Sequence, residues 1–212
     1  MSVESPYELV SVKDDPEAYR IVTEDYWNWV HELNCDTNSD RRYLTFIRDN
    51  CIGGPDKNDD NIQEINRPVG TNIFFPVYHA HFCKKDEHPD GNPCGTTDRC
   101  LEAVYGDLSK IRTDDNGNKI MWANISINGA EPIPITKNFE DHTVTLFPFI
   151  LKVGPNKLNR EPQYHLGPGI YTGAASGTYL FLKNFKEGTY VLDFGGEASN
   201  FRTRSIYTLT VS

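Results

Sequence analysis

Apolar and polar positions along this chain change period several times, and each change marks an element. After Asp14-Asp15-Pro16, a sequence suited to opening a helix, apolar residues recur at Ala18, Val22, Tyr26, Trp29 or Val30, and Leu33. The spacing predicts a helix over 15–33, with Glu17, Arg20, Glu24 and Asp25 facing water. Residues 34–70 then turn polar and irregular around a short apolar run, Tyr43 to Ile47, and read as a loop-rich segment. Ile73 to Cys83 is almost continuously apolar, as in a strand buried on both faces. Strict alternation puts Ile73, Phe75, Val77, His79, His81 and Cys83 on one face and Phe74, Pro76, Tyr78, Ala80 and Phe82 on the other. Pro76 suggests an edge or a bulge.

A second, short helix is expected over Asp98 to Lys110, capped by Thr96 or Thr97, with Leu101, Val104 and Leu108 on one side. Beyond it the pattern is that of strands: Met121 to Asn128, Thr143 to Val153, Tyr179 to Leu182, Thr189 to Phe194 and Ser205 to Val211. Asp114 to Asn118 and Lys186-Glu187-Gly188 supply turns. Residues 154–178, rich in glycine and proline, read as a second long loop.

Composition agrees with short strands joined by tight turns: 12% of the 212 residues are aromatic, with 16 Gly and 13 Pro. The expected fold is therefore mainly β, an antiparallel β-sandwich of jelly-roll or Ig-like type with one N-terminal helix and one short helix. The length fits one domain over 1–212. The net charge is −9, and residues 1–70 hold 15 Asp and Glu against 7 Lys and Arg. No basic stripe exists to displace counterions from phosphates, which argues against nucleic acid as a partner. No apolar run is long enough to span a bilayer, and Met1 to Val12 has no basic start followed by an apolar core. The compartment stays open, as does the oligomeric state.

Several segments together carry a resemblance. Tyr26-Trp27-Asn28-Trp29, the Phe74-Phe75-Pro76-Val77 strand ending at Cys83, a cysteine-containing helix, Ser126-Ile127-Asn128-Gly129, Gly177 to Leu182 with Gly188-Thr189-Tyr190, and Tyr207 to Val211 resemble an uncharacterised family of bacterial and archaeal β-sandwich proteins. The resemblance implies the fold and brings no established activity, so it assigns no catalytic residue.

Candidate chemistry concentrates between His79 and Cys100, where His79, His81, Cys83, Asp86, Glu87, His88, Cys94 and Cys100 make eight potential ligands in 22 residues. On a strand, His79 and His81 project from one face about 6.6 Å apart and can converge on one divalent transition metal. Glu87 or His88 on the following loop, or His165, can supply a third ligand. The His-x-His pattern resembles the metal motif of cupin-like jelly rolls, but Gly70 lies too far upstream, five residues separate His81 from Glu87, and no second histidine motif follows. The competing reading has both histidines buried and hydrogen-bonded. In it the cysteines are structural, with Cys35 bonded to Cys51 and Cys83 to Cys94 or Cys100. His165 and Tyr171, in one Gly-rich stretch, are candidate ligand-binding residues, with Tyr171 available to stack on a sugar or another flat group. Neither a zinc-finger cysteine pair nor a Gly-x-Ser-x-Gly nucleophile motif is present.

Two functions follow. The first is a non-enzymatic binding or structural component that presents loops 34–70 and 154–178 to a protein or carbohydrate partner. The second is a metal-dependent enzyme or metal-binding protein built on His79 and His81.

Overall fold

The computed structural model describes residues 5–32, 44–47, 61–85, 97–153, 169–198 and 202–212. Helix α1 (Pro16–Glu32) begins where the sequence predicts: the Asp15 carboxylate accepts the Ala18 N–H at 3.0 Å, and Arg20 bridges Glu17 and Glu24 on the solvent side. Helix α2 (Thr97–Leu108) follows the second apolar stripe.

Among the described residues, ten strands form two five-stranded sheets. They are β1 (Glu8–Val10), β2 (Leu44–Phe46), β3 (Asn61–Arg67), β4 (Asn72–Lys85), β5 (Met121–Ile127), β6 (Ile133–Pro134), β7 (Thr143–Val153), β8 (Gly169–Lys183), β9 (Gly188–Glu197) and β10 (Arg202–Val211). The first sheet runs β1-β8-β4-β2, with β7 also paired to β8, and the second runs β3-β10-β9-β5-β6. The expectation of purely antiparallel sheets is corrected here. β2 lies parallel to β4, and β3 lies parallel to β10, so both sheets are mixed.

One face of the first sheet is covered by α1, through Tyr19, Val22, Tyr26, Trp27 and Trp29 against Phe74, Leu146, Phe149, Tyr179 and Phe181. The opposite face splits. Ile73, Phe75, Leu180 and Leu182 share a core with Ile125, Tyr190, Leu192, Phe194, Tyr207 and Leu209 of the second sheet. Farther along, Ala174 packs on Cys100 and Val104 of α2. Each large side chain buried in these layers contributes roughly 1.5–3 kcal/mol by leaving water.

Two stretches expected as loops are partly strand. Within 34–70, Asn61–Arg67 pairs along its whole length with β10. Within 154–178, residues 169–178 form the first part of β8, where Gly173, Ala174, Ala175, Ser176 and Gly177 sit buried between the two helices. Small side chains there let α1 and α2 close on opposite faces of one strand. Gly177 shows how close the approach is, since an added Cβ there would stand 2.6 Å from the Cβ of His79 and 2.6 Å from the Tyr78 carbonyl oxygen.

Strict alternation along β4 also fails. Pro76 pairs with Tyr179 and Tyr78 with Thr178, which leaves Val77 as an extra residue in the register. A bulge of this kind turns two successive side chains to one side. Val77 enters the inter-sheet core, and Tyr78 reaches Gly196 of the second sheet. His79 and His81 consequently face α1, together with Phe74 rather than with Phe75.

Candidate functional site

The histidine pair lies where α1 crosses β4 and β8. Trp27 comes from the helix and meets both imidazoles, with ring centroids 4.9 Å from His79 at 61° and 4.0 Å from His81 at 36°. Tyr26 and Tyr179 complete the surround of His79, at 6.4 and 6.2 Å. The indole is fixed in turn, because its Nε1–H donates to the Tyr179 hydroxyl at 3.0 Å. Trp27 is fully buried, whereas both histidines are half-buried. Such rings pack edge-to-face or tilted, and a protonated imidazole over indole gains further from the ring's negative face.

The other expected ligands divide between places described and not. Glu87, His88, Cys94 and His165 lie outside the described residues, as do Cys35 and Cys51. Cys83 lies in β4, opposite Gly173. Cys100 is buried on α2, against Val104 and Ala174, so the first sheet stands between it and the histidine pair. Among the described residues no three of His, Cys, Asp and Glu gather closely enough to hold a metal ion. Tyr171, expected on a loop, is a β8 residue only 3% exposed and belongs to the core beneath α1.

Two polar clusters escaped the sequence reading. The first centres on His142, 3% exposed at the end of a 3-10 turn. The Tyr19 hydroxyl donates to the Val10 carbonyl at 2.9 Å and lies 3.1 Å from His142 Nδ1. A phenol has one proton, so its oxygen is left to accept from Nδ1–H. Burial pushes the Tyr19 phenol well above its ordinary value, and a hydrogen bond with the backbone at Phe181 only partly offsets that. Burial likewise holds the His142 imidazole below its ordinary value, against the opposing pull of Asp141. Both groups are therefore neutral near pH 7, and the cluster ties α1 to β1 and to the entry of β7.

The second cluster lies on the outer face of the second sheet. Asp193 accepts the Trp122 indole N–H at 3.0 Å and two bonds from the Arg204 guanidinium at 3.0 and 2.8 Å. Burial works to raise the Asp193 carboxyl, but the bonds from Arg204 and Trp122 outweigh it and hold the group below the usual carboxylate range. The indole lies over Gly195, where a Cβ would come within 2.8 Å of the ring, and Arg202 stands 5.1 Å from the indole centroid. The signal for this cluster was the Gly195-Gly196 pair within an apolar strand, a mark of close approach by another group.

Compared with protein-family models, with curated proteins and with solved structures, the chain matches none.

Proposed function

We propose that this chain is a non-enzymatic β-sandwich, of jelly-roll or Ig-like class, that serves as a binding or structural component for a protein or carbohydrate partner. The observation that carries this reading is the contact of His79 and His81 with Trp27, at 4.9 and 4.0 Å. It gives both imidazoles a structural task, the seating of α1 on the first sheet. The immobilised Trp122, flanked by Arg202 and Arg204, supports a binding role, because an ordered indole offers contact area at little cost in conformational entropy. The resemblance to a β-sandwich family without known activity points the same way.

Metal analysis of natively purified protein tests the reading. We expect less than about a tenth of an equivalent of Zn, Fe, Cu, Mn or Ni, unchanged in the His79→Ala/His81→Ala double variant. A whole equivalent of metal lost in that variant overturns the proposal, as does turnover of any substrate that requires either histidine.

One observation favours a second reading. His79 and His81 share a face and both remain half-buried rather than sealed, so the pair can contribute two nitrogen ligands to a divalent transition metal. The same metal analysis separates the two readings.

A further inference from the structure

Strand β7 pairs with β8 along one edge, and among the described residues no strand lies along the other. An open edge is a template for another strand, because its N–H and C=O groups point outward in a row. Here the row is met by one side chain of α1. The Lys152 N–H donates to Asn28 Oδ1 at 2.8 Å, and Asn28 Nδ2 donates to the Ile150 carbonyl at 3.4 Å and to the Glu24 carbonyl at 3.1 Å. A carboxamide carries a donor and an acceptor like those of a peptide unit. Asn28 thus meets β7 much as one peptide of a neighbouring strand would.

The same edge carries other obstacles to pairing. Its register shifts between Leu146 and Phe149, across Pro148, which has no N–H to offer, and a lysine stands near its end. Beside Asn28 a groove of ≈ 420 Å³ leaves Ile21 49% and Ile150 42% exposed, next to Glu24, Asp25 and Lys152.

We propose that Asn28 is an edge guard, whose amide occupies the β7 groups with which a second copy of this chain would otherwise pair. Antiparallel pairing of β7 with itself about a twofold axis would cover Ile21 and Ile150 of both copies at once. It would also bring Lys152 of each copy toward the acidic Glu24–Asp25 rim of the other. The exposed surface is thus self-complementary in both apolarity and charge.

Amide hydrogen exchange with light scattering on the full chain tests the assignment. In the parent the Lys152 amide is protected although it lies on an edge. In Asn28→Ala its protection falls roughly five- to tenfold in dilute protein, the equivalent of one hydrogen bond. On concentration the mass of that variant doubles relative to the parent, and the protection returns. Adding Ile150→Lys to Asn28→Ala keeps the parent's mass and leaves Lys152 unprotected at every concentration. Asn28→Asp, which retains the acceptor for the Lys152 N–H, keeps both the protection and the parent's mass. The proposal fails if Lys152 exchanges equally in the parent and Asn28→Ala, or if Asn28→Ala never exceeds the parent's mass. Should Asn28→Ala not fold, loss of Lys152 protection in Asn28→Asp overturns it alone.

Discussion

Adding one methyl group at two glycines of this protein should shift its stability in opposite directions. At Gly177 in β8 the new Cβ would lie 2.6 Å from both the Cβ of His79 and the Tyr78 carbonyl oxygen, and 2.7 Å from the Cα of His79. Unstrained carbon contacts need about 3.5–4.0 Å, so roughly 1 Å of separation is required. Two of the three obstructing atoms belong to the backbone of β4, which no rotamer change can move. Overpacking costs about 1–3 kcal/mol, and a clash with backbone belongs at the upper end, near 3 kcal/mol. At about 2–4 °C per kcal/mol for a chain of this length, Gly177→Ala should lower Tm by roughly 6–12 °C. At Gly106 in α2, by contrast, an added Cβ meets nothing within 4 Å, and alanine is the better helix former. Gly106→Ala should gain about 0.5–1 kcal/mol, a rise of roughly 1–4 °C. Thermal unfolding followed by circular dichroism reads both changes on one scale. A Gly177→Ala protein melting within about 2 °C of the parent would refute the argument that β4 and β8 touch here through backbone.

Three further outcomes are expected. Trp27→Ala removes the ring on which both histidines and Tyr26 rest and should cost about 3–5 kcal/mol in urea unfolding; a loss below 1 kcal/mol would show that α1 is seated by other contacts. His142 takes up its proton less readily folded than unfolded, so the unfolded chain binds more protons below the ordinary histidine value of about 6.5. Stability should therefore fall as pH drops below about 6.5, by at most about 1.4 kcal/mol per pH unit from this group, and His142→Gln should flatten that slope; equal slopes in both proteins would exclude His142 as the cause. Asp193→Asn weakens a partly buried pair with Arg204 and should cost about 1 kcal/mol while shifting Trp122 fluorescence, and an unchanged emission maximum would contradict the indole–carboxylate bond.

Legibility in the sequence followed how local each determinant is. Helix α1 was readable because Val22, Tyr26 and Trp29 repeat at helical spacing and are all buried. Tyr19 and Trp27 lie beside that stripe and are buried too, because the sheet wraps a wider band of the helix than a minimal repeat implies. Strand β3, with Asn61, Gln63, Glu64, Asn66 and Arg67, carries little apolar text, and its strand character comes from parallel pairing with β10, far along the chain. The first half of β8 fails for a different reason. Glycine, alanine and serine in succession suggest a loop until two helices are known to close over them. For the candidate site, the spacing of His79 and His81 correctly put them on one face, but not on the face that alternation chose. Their partner Trp27 comes from another element, and no spacing within β4 announces it. The His142 cluster joins residues distant in sequence and was invisible for the same reason, whereas the Asp193 cluster left one local mark, the Gly195-Gly196 pair.

The extra residue in β4 makes facing in that strand a matter of parity, and parity is inherited by everything downstream. Removing Val77 would act on the strand as a frameshift acts on a message: either His79 and His81 turn toward α2 while Ala80 turns toward Trp27, or β4 slips by one residue against β8. Length at this point is therefore more constrained than identity. Substitutions near Pro76 alter one contact, whereas an insertion or deletion there readdresses each side chain that follows, His79 and His81 included.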